Sequence, residues 1–547
     1  MDMNGELSNK TTPGATGKTS TAREAARDRL MRHLERLLPD PGQADAFRES
    51  MGSPPPVSLR FNPLLPQTAR LRQALRTRIT PVPWCPEGAV LPGDTPRLGH
   101  TLEHLLGLFY IQAQAPMLAV AALLPEPGQR VLDLCAAPGG KTTHIAACMD
   151  NRGLLVANEP QRRRLPALVG HLERCGVAPA VVLQHPGQEL ARHFHNVFDR
   201  VLVDAPCSGD GVLRKNAAML NYWSPADARN LAQTQIGLLR AAFHMLRPGG
   251  ELVYSTCSLS TEENEDVLLG LLRRYADQVQ FLPVPHVDLP PLPPPLAGDY
   301  PSELARCARI WPHLHDTEGA FVARLRKLSP TRWPRQEGDA AGWLDAASDT
   351  PAGAASLTAA GSPAAEGRVT IAGCTARGAQ TTAAGPPAHA SVREAAVAGA
   401  FRDLESQWGS VGPLPPGCTV TLTGRHLCLQ PSAGPAFARH CPFYVRSGMH
   451  IARMHKGHAY LSQQSVALWG EQLQGPRLQL TWPQLRQFCR DAVLLPQPHP
   501  ACRGEVLVTC GPWTVCRGIV AADGTLHSML PRDSRRADLQ RLLAFPE

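Results

Sequence analysis

The residues best suited to chemistry form a short run of small side chains between a predicted strand and a predicted helix. The run is Cys135, Ala136, Ala137, Pro138, Gly139, Gly140 and Lys141. A turn of this composition presents backbone N–H groups and a helix N-terminus to a ligand, with no bulky side chains in the way. The run therefore predicts a nucleotide site, although a plain glycine-rich turn between strand and helix could have the same composition.

Two kinds of nucleotide could bind such a loop. Residues 140–142 match the end of a phosphate-binding loop, but the glycine that this motif requires earlier falls on Cys135. An adenosine-type ligand instead requires an acidic residue at the end of the next strand, where it holds the ribose hydroxyls. Glu159 lies at that place. The pattern therefore favours an adenosine-type ligand.

Two cysteines follow other predicted strands. Cys207 closes the sequence Asp-Ala-Pro-Cys that begins at Asp204, and Cys257 closes the sequence Tyr-Ser-Thr-Cys. Because the carboxyl ends of parallel strands meet at one edge of a sheet, both thiols should lie beside the nucleotide loop. A lone cysteine is more often a small buried hydrophobic residue. That interpretation applies to Cys85, Cys148, Cys175 and Cys307.

The elements that position these residues have a clear pattern. Short apolar runs alternate with helical patterns from about residue 99, which predicts a mainly parallel sheet built from βαβ units. The candidate strands are 130–134, 153–157, 180–183, 200–204, 251–256 and 320–325. Ser224 and Pro225 predict the start of a long helix, and Ser260 with Glu263 predicts a capping box.

The composition limits the class of protein. The chain of 547 residues is 43% hydrophobic and 19% charged, so it is neither a fibrous protein nor a disordered acidic one. Its net charge of +8 permits a nucleic-acid partner without requiring one. Fifteen scattered cysteines without a Cys-x-x-Cys pair argue against a zinc ribbon or a disulfide framework. We therefore expect no metal, no membrane partner and a cytoplasmic location, because the N-terminus also lacks an apolar signal segment.

Taken together, the motifs resemble those of the RNA cytosine-5 methyltransferases of the Nol1/Nop/Sun (Fmu) superfamily. That family has a loop like residues 135–141, a Pro-Cys motif like residues 206–207 and a Thr-Cys motif like residues 256–257. Flanking segments also match, at 58–62, 98–112, 211–216 and 309–323. The tail is more loosely similar, at 445–448 and 529–532, to the PUA-like extension of the bacterial 16S ribosomal-RNA methyltransferase F subgroup.

The resemblance implies an α/β fold centred on a doubly wound class I S-adenosylmethionine-dependent methyltransferase sheet. We expect five segments: a disordered tail at 1–22, an N-terminal α/β RNA-binding lobe at 23–98, the methyltransferase domain at 99–330, an Ala/Gly/Pro-rich linker at 331–398, and a mostly β, PUA-like RNA-binding domain at 399–547. The cofactor S-adenosyl-L-methionine would lie over residues 135–141, with its ribose on Glu159.

The resemblance also assigns roles to individual residues. Cys257 would attack carbon 6 of cytosine, Cys207 would assist release of the methylated RNA, and Asp204 would contact the ring beside the cofactor pocket. The expected RNA contacts are Arg60, Arg214 and Lys215. The expected product is 5-methylcytidine in 16S ribosomal RNA, made by a monomer. A tRNA substrate, or a non-catalytic RNA-binding role in ribosome assembly, is the alternative.

Two features concern the cofactor pocket. The family usually has an aspartate near the adenine, and Pro186 occupies the matching position here. An adenine contact is therefore expected to be missing or to come from the backbone. The run of arginines at 162–164 opens the helix after Glu159, and we interpret it as solvated or distant from the cofactor.

Overall fold

The computed structural model describes most of the chain outside a long gap at 332–387. The described residues are 20–38, 40–93, 95–215, 224–287, 300–331, 388–409, 411, 414–494, 503–530 and 538–542. Most of the predicted tail and linker lies outside them, but residues 20–22 and 388–398 belong to helices. Within these ranges no helix is both long and apolar enough to cross a bilayer.

The N-terminal lobe is a small α/β unit. Its helices are α1 (Ser20–Glu35), α2 (Ala44–Ser50), α3 (Gln67–Leu75) and α4 (Leu102–Leu105). Its strands are β1 (Ser58–Phe61), β2 (Thr80–Val82), β3 (Cys85–Val90) and β4 (Phe109–Ile111), in the order β2-β3-β1-β4. Because β4 pairs with β1, the sheet of this lobe extends beyond the predicted boundary at residue 98.

The central region contains the elements predicted to form the doubly wound sheet. Its helices are α5 (Gln114–Leu123), α6 (Gly140–Cys148), α7 (Leu165–Arg174), α8 (Pro225–Met245), α9 (Glu265–Tyr275) and α10 (Pro312–His315). Its strands are β5 (Arg130–Asp133), β6 (Leu154–Asn158), β7 (Ala180–Leu183), β8 (Phe198–Asp204), β9 (Leu246–Thr256), β10 (Val279–Leu282), β11 (Ala308–Ile310) and β12 (Ala320–Lys327). All six predicted strands are therefore confirmed, with differences only at their ends.

The strand order explains why the chemistry collects at one edge. Strands β9, β8, β5, β6 and β7 are parallel neighbours, and β12 is antiparallel to β9. Side chains of each central strand alternate between two apolar cores: Leu132 and Val156 face the core that includes α8 and α9. Val131 and Leu155 face the core that includes α5, α6 and α7. Burial on both faces accounts for the continuous apolar runs in these strands.

A buried lysine holds the far end of helix α8. Lys327, at the end of β12, is 0% exposed. Its Nζ donates to the carbonyl oxygens of Phe243 and Leu246, each at 2.8 Å. It also donates to Asn196 at 2.7 Å and Thr331 at 2.9 Å. The last carbonyl groups of a helix have no partner within the helix, so this side chain satisfies acceptors that would otherwise be buried and unpaired.

The C-terminal region is β-rich, as the predicted PUA-like domain requires, but it holds two sheets. Its helices are α11 (Ala388–Trp408), α12 (Gly434–His440), α13 (Gln463–Trp469) and α14 (Trp482–Asp491). Its strands are β13 (Cys418–Thr423), β14 (His426–Pro431), β15 (Tyr444–Ser447), β16 (Met449–His455), β17 (His458–Leu461), β18 (Arg477–Gln479), β19 (Val493–Leu494), β20 (Gly504–Cys510), β21 (Trp513–Val520) and β22 (Leu526–Ser528). The two sheets are β13-β14-β16-β17 and β18-β20-β21-β22-β19.

The remaining strand, β15, joins the central sheet. It pairs antiparallel with β7, the edge strand of the parallel series. An ion pair between Arg446 and Glu173, with 2.7 Å between nitrogen and oxygen, lies beside this pairing. The N-terminal lobe also contacts the C-terminal region, because the Thr514 N–H donates to Gln67 at 3.0 Å. The C-terminal region is thus packed against both other regions.

Candidate active site

The predicted nucleotide loop connects β5 to α6 at the carboxyl edge of the sheet. Asp133, the last residue of β5, is fully buried, and Thr142 in the first turn of α6 donates to its carboxylate at 2.7 Å. Burial raises the pKa of Asp133 to about 7. Gly139 has a φ of +112°, a conformation that favours glycine. The loop is therefore fixed at both ends and keeps small residues where the helix begins.

Arg60, a predicted RNA contact, lies behind this loop instead. Its side chain is 2% exposed and donates to the Gly140 carbonyl and the Thr143 hydroxyl, each at 2.8 Å. It also donates to Gln112 and lies over the ring of Tyr110. Protein acceptors enclose the guanidinium, so a phosphate contact is inconsistent with this structure. Arg60 supports the start of α6.

Glu159 follows β6, at the place predicted for a ribose-binding carboxylate. Its side chain is 1% exposed, and one oxygen accepts from the Gln161 N–H at 2.8 Å. The other oxygen lies 3.1 Å from a nitrogen of Arg164, which also donates to the Ala137 carbonyl. The run at 162–164 was interpreted as solvated or distant from the cofactor; the Arg164 side chain is 43% exposed, but it is not distant from the loop, because it links Glu159 to Ala137.

Asp204 ends β8 and faces the loop. Lys141 donates to one carboxylate oxygen at 2.6 Å, and Ser255, on β9, donates to the other at 2.8 Å. Burial alone would lower the pKa of Lys141, but the Asp204 carboxylate offsets this effect, and the pKa is raised. Lys141 is therefore an ammonium held between the loop and Asp204.

Cys207 and Cys257 are brought together as predicted. The Cys257 N–H donates to the sulfur of Cys207 at 3.2 Å. A hydrogen bond between the two side chains, together with burial, raises the pKa of Cys207 well above its usual value. Cys207 is therefore a neutral thiol that can donate a proton toward Cys257.

Two buried acids that the sequence analysis did not assign to the site hold the cysteine loops together. Asp210, beyond Cys207, accepts from the Leu259 N–H at 2.6 Å, from Ser258 at 2.9 Å and from Ser260. Burial raises the pKa of Asp210 to about 6. Its contacts join the segment after Cys207 to the segment after Cys257.

The second acid is Glu263. It accepts from the Ser208 N–H at 2.9 Å and from Gln235 at 2.9 Å. The predicted capping box of Ser260 and Glu263 is wrong, because Ser260 makes no side-chain cap and donates to Asp210. The spacing of Ser260 and Glu263 is typical of a helix start. Their side chains instead contact Asp210 and Ser208, on the other cysteine loop.

The other two predicted RNA contacts differ from each other. The side chain of Arg214 is 3% exposed and donates to Asp316 at 3.0 Å and to the carbonyls of Ser53 and Thr317. These contacts make it a structural residue. The side chain of Lys215 is 67% exposed, with Glu318 at 3.8 Å, and it stays a candidate for phosphate binding.

Two regions of the chain match known protein families. Residues 120–326 match the family described as 16S rRNA methyltransferase RsmB/F, and residues 28–114 match the N-terminal domain of 16S rRNA methyltransferase RsmF. Over these two regions the chain is similar to the RsmB/F family. Both matched regions fall on the lobe and the central sheet described above.

Curated relatives agree with this similarity. Ribosomal RNA small subunit methyltransferase F of Erwinia tasmaniensis is 42% identical over 308 residues, and that of Salmonella paratyphi A is 41% identical over 316 residues. Each match covers 55% of this chain and 63% of the relative, so the chain spans less than two thirds of their length. A methyltransferase homolog from Pyrococcus horikoshii is 31% identical with a TM-score of 0.49, and covers 57% of this chain and all of that one.

One further cluster in the fold contains residue types that bind metals. Among the described residues, Cys85, Glu87 and His144 place ligand atoms within 4.8 Å of one another. The Cys85 sulfur lies 3.7 Å from the His144 Nε2, and burial raises the pKa of Cys85 to about 11. A hydrogen bond between a buried thiol and an imidazole accounts for this contact. That the chain binds no metal stays a prediction.

Proposed function

We propose that this chain is an S-adenosyl-L-methionine-dependent RNA methyltransferase that forms 5-methylcytidine in 16S ribosomal RNA. The observation that carries the proposal is the pairing of Cys207 and Cys257 beside the Lys141–Asp204 ion pair. Two thiols, a carboxylate and an ammonium lie at one edge of the sheet. This set of groups suits covalent catalysis on a nucleobase. A ribosomal substrate would also place the protein in the cytoplasm.

The residues around the loop fit the cofactor. Helix α6 begins at Gly140, and the first N–H groups of a helix have no acceptor within the helix. The Glu159 carboxylate lies at the end of the neighbouring strand, held by Arg164 and the Gln161 N–H. S-adenosyl-L-methionine bound there would supply an electrophilic methyl group. The loop N–H groups and Glu159 would hold it, and Asp204 would border it.

Cys257 is the proposed nucleophile. Carbon 5 of cytosine is a poor nucleophile, but addition of the Cys257 thiolate to carbon 6 makes carbon 5 electron-rich. The Lys141 ammonium and the Asp204 carboxylate that it contacts lie at the same sheet edge as Cys257. The carboxylate of Asp204 is oriented by Lys141 and Ser255, so it can hydrogen-bond with the polar edge of the ring.

Cys207 is the proposed partner in product release. After transfer, a base removes the proton from carbon 5 and the bond from carbon 6 to Cys257 breaks. Burial and the contact with Cys257 keep Cys207 protonated, so it can donate toward the departing sulfur. The target base must leave the RNA stack to reach these groups. Lys215, whose side chain is 67% exposed, is the proposed phosphate contact.

Bisulfite sequencing of total RNA tests the proposal. A deletion strain would be complemented with wild type, with Cys257→Ala, or with Cys307→Ala as a control at a cysteine outside the site. We expect one cytosine of 16S ribosomal RNA to lose its methyl group on deletion, and only wild type and the control to restore it. A changed tRNA site would favour the tRNA alternative. Restoration by Cys257→Ala would overturn the assignment of Cys257 as the nucleophile. If no site changes on deletion, the enzymatic proposal is overturned in favour of an assembly role.

A further inference from the structure

The loop that follows β7 is held by the C-terminal region. Just before β15, the carbonyl of Phe443 accepts from the Gln184 N–H at 3.0 Å. The Phe443 ring stacks on the ring of His185, with centroids 4.3 Å apart and planes at 21°. His193 packs against the same ring at 4.9 Å. Addition of β15 to the central sheet therefore brings an aromatic side chain onto the loop at 184–187.

The other side of this loop is held by the strand end that precedes Glu159. The Asn158 side chain is fully buried and donates to the His185 carbonyl at 3.0 Å. Its oxygen accepts from the His185 N–H at 3.2 Å. The backbone of His185 is thus fixed to the residue next to Glu159, and its ring is fixed to Phe443.

The identity of the next residue makes the loop position important. Pro186 offers no side-chain donor or acceptor and no N–H. If the adenine of the cofactor lies at this strand end, Pro186 can offer it only a backbone carbonyl, so the contact depends on the loop backbone and its other side chains. The affinity for the cofactor then depends on the position of the loop backbone. An aspartate at this place could instead adjust its rotamer to reach the adenine.

We propose that Phe443 is a positioning residue for the cofactor: through its stack on His185, the C-terminal region sets the adenine side of the pocket. The inference rests on the proposed function, because it assumes that S-adenosyl-L-methionine binds at the loop. It adds that the C-terminal region contributes to cofactor affinity and is not confined to a role in RNA binding.

The test uses the full chain and titrates S-adenosyl-L-methionine by calorimetry. Phe443→Ala should raise the Kd by about three- to tenfold, the range that an aromatic pair supports. The conservative Phe443→Tyr should keep the wild-type Kd. Arg446→Ala is the matched control, because it removes the ion pair with Glu173 at the same interface but away from the loop. Its Kd should stay within twofold of wild type.

Steady-state kinetics distinguish positioning from general damage. Phe443→Ala should raise the KM for the cofactor and leave kcat at saturating cofactor within about twofold. If Phe443→Ala does not fold, His185→Ala removes the same stack from the partly exposed loop and should give the same shift. A folded variant with wild-type Kd would overturn the inference. Wild-type protein that binds no S-adenosyl-L-methionine would instead count against the proposed function.

Discussion

The backbone N–H of Cys257 donates to the sulfur of Cys207 at 3.2 Å, although the two residues lie on different loops. Asp210 explains how this contact is maintained, because it accepts hydrogen bonds from three consecutive residues after Cys257. The distance between the thiols is therefore a property of the fold. Two cysteines held in this way can act in sequence on one base.

Removal of Cys207 should stop release of the methylated RNA but leave the addition of Cys257 to cytosine possible. We expect Cys207→Ala to accumulate a covalent complex with RNA through Cys257, because the thiol that can donate to the departing sulfur is gone. A denaturing gel of protein incubated with substrate RNA and cofactor measures this complex. The double variant Cys207→Ala/Cys257→Ala should show none. A complex of equal yield in the double variant would contradict these roles.

Arg60 and Lys215 should affect different ligands. Arg60→Met removes the support of α6 and should raise the cofactor Kd by about tenfold or more, because a buried charged hydrogen bond contributes roughly 1.5–3 kcal/mol. Lys215→Met should leave cofactor binding unchanged, weaken RNA binding modestly and reduce the salt slope by about one. Calorimetry with cofactor and filter binding across salt concentrations measure both. If Arg60→Met weakens RNA binding and leaves cofactor binding unchanged, the prediction that Arg60 contacts RNA would stand.

Asp133 should make stability depend on pH. Its pKa is about 7 in the folded protein and near 3.8 when unfolded. Between these two pH values Asp133 is protonated in the folded state and ionised in the unfolded state. The free energy of unfolding therefore falls as pH rises toward 7. The stability of Asp133→Asn relative to wild type should therefore increase between pH 5 and pH 8, by on the order of 2 kcal/mol.

Thermal unfolding at the two pH values measures this difference. The exposed Asp277 provides a control, and Asp277→Asn should show no change with pH relative to wild type. A constant offset between Asp133→Asn and wild type at both pH values would show that Asp133 keeps an ordinary pKa.

Lys327 should stabilise the fold without affecting the chemistry. Lys327→Met leaves the carbonyls at the end of α8 buried without a donor, and should cost roughly 1–3 kcal/mol of unfolding free energy. The neighbouring Arg326 is 41% exposed and pairs with Glu251, so Arg326→Met should cost at most about 1 kcal/mol. Denaturant titration compares the two variants. Equal losses would contradict the capping role.

Sequence patterns predicted the central sheet and its reactive edge because these depend on local signals. Apolar runs such as 180–183 identify strands, and the residues after each strand must meet at one edge. Cys207, Cys257 and Asp204 were found in this way. The roles of Asp210 and Glu263 in the site were not predicted, because Leu259 and Ser208, which donate to them, lie about 50 residues away in the sequence.

Local sequence patterns could not predict which polar side chains are buried or which distant residues they contact. Arg60 stands in a strand, where a charged residue usually faces solvent, and only the packed structure shows it enclosed against Gly140 and Thr143. Phe443 gave no signal because its partner, His185, belongs to another region of the chain. Ser260 and Glu263 show the converse, since a local capping pattern was overridden by contacts across the site.

The addition of β15 to β7 also has a consequence for synthesis. The ribosome completes β7 at residue 183 and adds about 260 residues before β15 is made. Until then the outer N–H and C=O groups of β7 have no strand beside them, and an open strand edge readily pairs with another chain. The newly made protein therefore passes through a period of exposure to aggregation with neighbouring nascent chains. The strand that completes the sheet is also the one that ends this exposure.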